Sequence, residues 1–214
     1  MSLTLYYHPL SSFCQKALVA LYENATPFTP RLVNLMDPAE RAEFLKVWPI
    51  GKFPVLRDEA RGVTVPESSA IISYLAEFHP GPTKLVPAGG DAWRLHFWDR
   101  VHDLYLNTNL GKIVTDKLRP EGKRDPFGVD QATEQLKTAL GIVDREMADK
   151  TWALGSAFTM ADCAAAPSLF YANMLVPFAE THRNAAAYLG RLSKRPSFAR
   201  VLEEAKPYLA MMPT

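Results

Sequence analysis

Cysteine is scarce in this sequence, and its scarcity excludes two kinds of small stabilised domain. The 214 residues include two cysteines, Cys14 and Cys163, which lie far apart along the chain. A disulfide framework or a zinc site needs more cysteines, or a cluster of metal-binding side chains. We therefore expect reduced thiols in a reducing compartment and no metal site.

Long apolar runs and an excess of one charge are also missing. No run approaches the roughly 18 apolar residues of a membrane span, and the first ten residues lack the basic segment and cleavage site of a signal peptide. Lys and Arg number 24 and Asp and Glu number 23, so the formal charge is +1. This balance offers no strong field to nucleic acid or acidic membranes. We expect a cytoplasmic protein that binds small molecules, with neither nucleic acid nor a membrane as partner.

What the sequence does contain is periodicity among its hydrophobic residues, which make up 48% of the chain. In the first half, alternation predicts strands and a helical repeat predicts helices. The predicted order is a strand to His8, a helix over 12–24, a strand over 28–35, a helix within 37–47, two strands over 52–57 and 63–65, and a helix over 68–78. This βαβ-ββα order is that of a thioredoxin-like α/β domain.

The second half has a different pattern. The segment HPGPTKLVPAGG, residues 79–90, is dense in Pro and Gly and predicts a linker. After it the strand patterns disappear, and two apolar stripes at helical spacing predict an all-α bundle. The stripes are formed by Trp93, Phe97, Val101 and Leu104, and by Leu136, Leu140, Val143 and Met147. We expect one domain over 1–79, a linker over 80–90 and a helical domain over 91–214.

The loop after the first strand holds the first candidate site. Ser11 stands where a thioredoxin-like domain places the leading cysteine of its dithiol, at the start of the first helix. Unpaired backbone N–H groups and the helix dipole favour a negative charge there. A thiolate supplied by a cosubstrate fits this position. A hydroxyl hydrogen bond and helix N–H groups lower the pKa of a thiol from its usual value of roughly 8.5 by about one or two units.

Other residues compete with this interpretation. Ser12, Tyr6 and Tyr7 are rival hydroxyls, and strand alternation sends the two tyrosines to opposite faces, so one at most faces the site. Cys14 stands at the second dithiol position, where packing is the preferred role and thiol transfer is the alternative. Simple capping of the helix by Ser11 or Ser12 is the plain structural interpretation.

Two later junctions provide candidate binding residues. Pro54 follows Lys52 and Phe53 and opens a strand, and a cis bond there would leave the N–H and C=O of Phe53 free for a peptide-like ligand. Glu67 and Ser68 begin a helix, where a carboxylate can accept from an ammonium group and a hydroxyl can bind a carboxylate. An ordinary edge-strand proline and an N-cap are the structural alternatives.

The three junctions, in this order and spacing, are followed by the linker, the helical half and a predicted capping box of Thr159 and Asp162. Together they resemble the soluble glutathione transferase family over essentially the whole chain. The loop from Ser11 to Cys14 is similar to that of serine-type, zeta-like members, with Phe13 inserted before the cysteine. The ending RPSFARVLEEAKPYL is similar to that of bacterial members.

The resemblance implies an activity and partners. It implies a homodimeric enzyme in which Ser11 activates the thiol of glutathione, the cosubstrate, for attack on a small hydrophobic electrophile bound between the two domains. Leu10, Tyr105 and Asn109 are expected to line that pocket. A non-catalytic binding module of the same fold and a glutathione-dependent thiol transferase or isomerase are the alternatives.

The resemblance also implies which residues hold glutathione. The backbone of Phe53, before Pro54, is expected to pair with the cysteinyl part of the tripeptide. Glu67 and Ser68 are expected to hold the γ-glutamyl end, and Lys52 the glycyl carboxylate.

Overall fold

The computed structural model describes residues 2–90 and 92–212, and its first half follows the predicted order of strands and helices. The elements are β1 (Leu3–Tyr7), α1 (Ser12–Glu23), β2 (Thr29–Leu32), α2 (Pro38–Val47), β3 (Val55–Asp58), β4 (Val63–Pro66) and α3 (Ser68–Phe78). Helix α3 has the predicted bounds. β2 is shorter than predicted because its partner β1 ends at Tyr7, which pairs with Leu32. β3 begins after Pro54, which has no N–H for the ladder.

The four strands form one mixed sheet with helices on both faces. Their order is β2-β1-β3-β4; β1 pairs in parallel with β2, while β3 is antiparallel to β1 and to β4. Leu3 and Leu5 are buried in a core that includes residues of α1 and α3. Tyr6 points to the other face and packs against Phe44 of α2, with ring centroids 5.9 Å apart. The α/β thioredoxin-like fold of this half is confirmed.

The second half is helical over the residues that the structure describes. Its elements are α4 (Ala92–Arg100), a π-helix (Val101–Asn107), α5 (Thr108–Lys117), α6 (Pro126–Glu146), α7 (Met160–Leu175), α8 (Arg183–Lys194), α9 (Pro196–Ala205) and a 3-10 helix (Lys206–Met211). The stripe predicted on α6 is buried, as Leu136, Leu140, Val143 and Met147 are all at most 4% exposed. Helix α7 begins with the predicted capping box, in which the Thr159 N–H donates to Asp162 over 2.8 Å.

The stripe predicted on α4 and its continuation is wrong. Val101 is buried, but Trp93, Phe97 and Leu104 are 67%, 48% and 50% exposed. The buried side of this segment is formed by Leu95, Trp98, Val101 and Leu106. Two physical reasons explain the difference: the segment carries apolar residues on more than one side, and the π-helix, with its i to i+5 hydrogen bonds, changes the helical repeat from Val101 onward.

A helix that crosses a membrane needs about 18 or more predominantly apolar residues. Within residues 2–90 and 92–212, no helix combines the length and the apolar character needed to cross a membrane.

Candidate active site

Ser11 caps the N-terminus of α1. Its Oγ accepts a hydrogen bond from the backbone N–H of Cys14 over 3.3 Å, and its own N–H donates to the carbonyl oxygen of His8 over 3.0 Å. A serine hydroxyl that accepts through its oxygen still has an O–H to donate. Ser11 is half-buried. Its O–H lies near enough to the Cys14 sulfur to bond to it, and by rotating it can instead donate to a ligand at the end of the helix that favours a negative charge.

A cavity of about 320 Å³ opens at Ser11, between the first loop and the segment where the π-helix continues into α5. Ser11 and Ser12 supply hydroxyls, and Leu10, Leu110 and Val114 supply apolar wall. Such a mixture of apolar wall and few polar groups is typical of small-molecule sites. Leu10 therefore lines the cavity that opens at Ser11.

The prediction that Tyr105 and Asn109 line the same pocket is wrong. Both residues border a second cavity of about 650 Å³, together with residues of α6 such as Thr138 and Ile142. The Asn109 side chain donates to the carbonyl oxygen of Tyr105 over 2.7 Å. The prediction came from the family resemblance, and the π-helix changes the direction of side chains from Val101 onward.

The rival hydroxyls differ in position. Ser12 is the first residue of α1 and lines the same cavity as Ser11, so it remains a rival. Tyr7 packs against the main core, and burial, with the nearby charge of Glu204, raises the pKa of its hydroxyl. The described residues that line the cavity at Ser11 include neither Tyr7 nor Tyr6.

Cys14 is fully buried in the first turn of α1. Its Sγ accepts a hydrogen bond from the His8 N–H over 3.5 Å. Burial raises the pKa of the thiol to about 12, although hydrogen bonds from Ser11 and His8 favour the thiolate. The Cys14 thiol is therefore protonated at neutral pH and shielded from solvent, which supports the packing role.

The first loop is held in place by helix α7 of the second half. Gln15 Nε2 donates to the carbonyl oxygen of Pro9 over 2.8 Å and to the Tyr171 hydroxyl over 2.9 Å. The Tyr171 hydroxyl in turn donates to the carbonyl oxygen of Leu10 over 2.9 Å. These bonds fix the backbone of Pro9 and Leu10, directly before Ser11. The position of the Ser11 hydroxyl therefore depends on both halves of the molecule.

The second junction contains a cis peptide bond between Phe53 and Pro54. The N–H and C=O of Phe53 take part in no hydrogen bond with the residues that the structure describes. Its ring lies parallel to that of His8, with centroids 6.1 Å apart, so this junction is in contact with the first loop. Lys52 is exposed beside it.

The third junction has an unusual backbone conformation. Glu67, immediately before α3, has φ +69° and ψ 124°, and its side chain forms no cap for the helix. Residues other than glycine rarely adopt a positive φ, and when they do, the surrounding structure holds them there, often at a ligand site. Glu67 is exposed, whereas Ser68, the first residue of α3, is buried.

The strand register brings the three junctions to one edge of the sheet. Val55 pairs with Tyr6 on one side and with Pro66 on the other. The chain that follows β1, the cis bond that precedes β3 and Glu67, which follows β4, therefore lie side by side. Sequence-predicted residues from three separate loops converge on the N-termini of α1 and α3.

A buried cluster of charges lies behind α3. Lys16 of α1 forms ion pairs with Asp99 Oδ1 over 2.5 Å and with Asp103 Oδ2 over 2.8 Å. The Ser69 hydroxyl donates to Asp99 over 2.7 Å, and Arg100 contacts both Ser69 and Asp103. Because Ser69 directly follows Ser68, this cluster fixes the first turn of α3 against both α1 and α4.

Two family models match this chain. The N-terminal domain of glutathione S-transferases matches residues 5–83, and the C-terminal domain of glutathione S-transferases matches residues 126–204. The first range contains all three junctions. The chain belongs to the glutathione S-transferase family. Membership of this family explains why a thioredoxin-like half is joined to a helical half.

Curated relatives in the glutathione S-transferase family match along almost their full length. The chain is 29% identical to glutathione S-transferase 3 of Zea mays, over 94% of this chain and 93% of the relative. It is 26% identical to glutathione S-transferase GstB of Escherichia coli K12, over 94% and 97%. Elongation factor 1-gamma-B of Xenopus laevis is 28% identical over 95% of this chain and 47% of its own length. Chains named as something other than transferases thus share this sequence pattern.

Solved structures of glutathione S-transferases superimpose closely on the chain. A transferase of Methylobacillus flagellatus with glutathione bound has a TM-score of 0.85 at 24% identity, over 94% of this chain and 98% of that one. A transferase of Methylobacterium radiotolerans in complex with glutathione sulfonate has a TM-score of 0.83 at 27% identity, over 93% of each chain. The fold of the whole described chain is therefore that of the glutathione S-transferases.

Two residues that hold the first loop of the candidate site were not foreseen from the sequence: Gln15 and Tyr171. Gln15 carries a weak signal, as a polar residue within a run of apolar positions in α1. Tyr171 carries none, because its contribution depends on how α7 packs against the first loop.

Proposed function

We propose that this chain is an enzyme that binds glutathione and transfers its sulfur to a small, hydrophobic electrophile. The observation that carries the proposal is the position of the Ser11 hydroxyl, at the N-terminus of α1 and on the wall of the 320 Å³ cavity. A cosubstrate sulfur at that place would meet both an anion-stabilising helix end and a space for a second molecule. The names of the relatives and the glutathione sulfonate bound in a similar structure support the same function.

Ser11 is proposed to act on the ionisation of the cosubstrate thiol. Its O–H would donate to the sulfur, and the N–H groups at the start of α1 would stabilise the negative charge. A thiol with a pKa of roughly 8.5 is ionised to only a few per cent at neutral pH. Each unit by which the pKa falls raises the thiolate fraction about tenfold, until most of the thiol is ionised.

Five further residues are proposed to hold the tripeptide. The free N–H and C=O of Phe53, beside Pro54, would pair with the cysteinyl backbone, and the Lys52 ammonium would meet the glycyl carboxylate. Glu67 would accept from the γ-glutamyl ammonium group, and Ser68 would donate to its carboxylate. The strand register that brings these junctions together supports this assignment.

The same proposal extends to the domain bounds, the oligomeric state and the location of the chain. The glutathione-binding domain would comprise residues 1–79, the linker 80–90 and the helical domain 91–214. The chain would act as a homodimer in the cytoplasm. The exposed apolar side chains of Trp93, Phe97 and Leu104 support an interface between subunits on that side of the helical domain.

The test compares two serines that line the same cavity. With glutathione and an activated aryl halide at neutral pH, Ser11→Ala is expected to lower kcat by about ten- to thirtyfold, because the loss of one or two pKa units of thiol activation returns the thiolate fraction to a few per cent. The binding constant for glutathione should change less. Ser12→Ala is the matched control and should retain most of the turnover.

Ser11→Ala also removes the N-cap of α1, and such a replacement lowers stability by about 1 kcal/mol. The loss of the cap must therefore be separated from the loss of catalysis. Ser11→Gly removes the hydroxyl at a cost of only a few tenths of a kcal/mol and should lose the same activity. Spectroscopic titration of the bound thiol should show a higher pKa in both Ser11 variants. If turnover falls with Ser12→Ala instead, Ser11 is not the activating residue.

The similarity to an elongation factor 1-gamma favours a second candidate, a binding module without catalysis. This candidate predicts glutathione binding without any rate increase over the uncatalysed reaction, or no binding. Calorimetry with glutathione, run beside the conjugation assay on the same preparation, distinguishes the two candidates.

A further inference from the structure

His8 directly follows β1 and carries an imidazole that the proposed thiol activation does not use. Its Nδ1 accepts a hydrogen bond from the backbone N–H of Leu10 over 3.3 Å. The His8 N–H donates to Cys14 Sγ over 3.5 Å, and its carbonyl oxygen accepts from the Ser11 N–H over 3.0 Å. The side chain and both backbone polar groups of this one residue therefore shape the loop that leads to Ser11.

The ring of His8 also contacts two other segments of the chain. It is nearly parallel to the ring of Phe53, with the centroids 6.1 Å apart and the planes at 19°. It meets the ring of Tyr208, in the 3-10 helix, at 72° with the centroids 5.6 Å apart. The half-buried imidazole thus joins the first loop to Phe53, whose backbone is proposed to bind glutathione, and to the C-terminal segment.

The hydrogen bond from Leu10 defines the protonation state of the ring. A backbone N–H can only donate, so Nδ1 carries a lone pair and the proton of the neutral ring lies on Nε2. An imidazolium has a proton on both nitrogens and cannot accept this bond. Burial acts in the same direction, because it lowers the pKa of His8 below its ordinary value. The conformation of the loop therefore requires a neutral imidazole.

We propose that neutral His8 is a positioning residue for thiol activation: its Nδ1 holds the Leu10 N–H, and with it the Ser11 hydroxyl, in place, and protonation of the ring releases the loop. This inference rests on the proposed transferase function. It adds a residue to that function and gives the enzyme a second ionisation at acidic pH, besides that of the cosubstrate thiol.

The other titratable groups around the ring do not account for such an ionisation. They are Cys14 of α1, Tyr7 of β1, Tyr208 of the 3-10 helix, Lys52 beside Phe53, and Glu204 of α9, whose charge acts on Tyr7. Burial raises the pKa of the Cys14 thiol to about 12, and it raises the pKa of the Tyr7 hydroxyl as well. Carboxyl groups ordinarily titrate near pH 4, and phenols and ammonium groups near pH 10. Of these groups, the imidazole is the one expected to change charge between about pH 5 and 7.

Two required deprotonations leave a distinctive mark on the pH profile. At saturating glutathione, kcat/KM for an activated aryl halide reports the ionisations of the glutathione-loaded enzyme. If the bound thiol alone titrates, kcat/KM falls about tenfold for each pH unit below the thiol pKa. If His8 must also be neutral, the fall steepens below about pH 6 toward about a hundredfold for each unit. We expect the steeper profile for the wild type.

Two substitutions in the full-length protein separate the acceptor from the ring. His8→Asn places Oδ1 near the position of Nδ1, and an asparagine oxygen readily accepts from the N–H two residues on, so the loop is held by a group that does not titrate. It should keep kcat/KM at pH 7 within about threefold of the wild type and fall only about tenfold for each pH unit.

His8→Phe keeps a ring beside Phe53 and Tyr208 but has no acceptor for Leu10. It should lower kcat/KM at pH 7 by about tenfold or more, because a displacement of about 1 Å in the reacting groups costs up to about 100-fold. Spectroscopic titration should show a higher pKa for the bound thiol. Melting temperatures of both variants identify any loss of folding.

A matched control and a readout independent of activity complete the test. His96 is an exposed histidine of α4, so His96→Asn should keep the wild-type profile. Nitrogen NMR of the His8 imidazole, assigned by comparison with His8→Asn, should show the proton on Nε2 at pH 7.

Several results would overturn the proposal. They are a wild-type profile that stays near tenfold for each unit down to pH 5, a steep profile that persists in His8→Asn, equal losses in His8→Asn and His8→Phe, or a neutral ring with its proton on Nδ1. Each of these leaves an active wild type, and with it the proposed function, intact. A wild type that binds glutathione and accelerates no reaction would instead refute the proposed function, and this inference with it.

Discussion

Glu67 illustrates, at the scale of one residue, how a binding site can conflict with stability. Its φ of +69° is a conformation that glycine adopts freely and other residues adopt at a cost of about 1–3 kcal/mol. Its side chain forms no helix cap, and with the described residues it forms no direct ion pair, although the charge of Arg100 is close enough to interact with it. The proposed contact with the ammonium group of glutathione provides a reason for a carboxylate at this position.

Replacing Glu67 with glycine should therefore separate the two effects. Glu67→Gly is expected to raise the free energy of unfolding by about 1 kcal/mol, since relief of strain exceeds the entropy cost of glycine. It should weaken glutathione binding by about tenfold or more, because a hydrogen bond to a charged group is lost. Urea denaturation and calorimetry measure the two quantities.

Ala25 provides the matched control for this substitution. It also has a positive φ, of +48°, but it lies after α1, among residues that border another small cavity. Ala25→Gly should stabilise the chain without affecting glutathione affinity. A Glu67→Gly variant that binds glutathione as tightly as the wild type would show that the carboxylate has no role in binding.

At the scale of elements, helix α7 depends on one buried carboxylate. Asp162 accepts hydrogen bonds from the N–H and hydroxyl of Thr159, from the N–H of Ala153 over 2.8 Å and from the Tyr188 hydroxyl over 2.5 Å. It thereby joins the start of α7 to the preceding loop and to α8. Burial raises the pKa of this carboxyl, although its four donors act against that shift.

Asp162→Ala should leave these donors buried without a partner. We expect a loss of about 3 kcal/mol or more in the free energy of unfolding, since each orphaned buried group costs about 1–3 kcal/mol. Asp144→Ala is the control: Asp144 accepts from the N–H groups of Asn184 and Ala185 but is only half-buried, so water can replace it and the loss should be about 1 kcal/mol. Equal losses in the two variants would contradict the importance of burial.

The elements also show which features can be predicted from a sequence. The bounds of α3 and the convergence of Ser11, Pro54 and Glu67 follow from local patterns, because a strand-to-helix junction is signalled by residues within a few positions of it. The exposed face of α4 and the positions of Tyr105 and Asn109 do not. They depend on the changed repeat of the π-helix and on the choice among apolar residues that lie on more than one side of α4, and no local pattern in the sequence signals either.

At the scale of the whole molecule, buried ionic contacts join the two halves. Lys16 in α1 pairs with Asp99 and Asp103 in the helical half. Glu23, at the end of the same helix, accepts from Arg195 Nε over 2.8 Å and from the Ser197 hydroxyl over 2.8 Å. Both ends of α1, the helix that begins at Ser11, are thus fixed against the second half. The geometry of the site is therefore coupled to the stability of the interface between the halves.

This coupling predicts a pH dependence that can be assigned to Glu23. Burial alone would raise the pKa of its carboxyl, but hydrogen bonds from Arg195 and Ser197 and the charge of Arg195 hold the pKa below its ordinary value. The unfolded chain, with a glutamate pKa of about 4.3, then binds the proton more readily than the folded chain. The stabilisation is fully present above that pKa and is lost as the pH falls through it toward the folded value.

Glu23→Gln should remove this contribution. The free energy of unfolding, measured by urea denaturation, is expected to be lower for Glu23→Gln than for the wild type at pH 7, and the difference should shrink as the pH falls from about 5 to below 4. The comparison cancels the titration of the other carboxyls, since both proteins contain them. Glu203→Gln, which removes a largely exposed carboxylate paired with Lys206, should give a small difference that varies little with pH. A difference for Glu23→Gln that stays constant down to the acid limit would mean that its ionisation does not hold the two halves together.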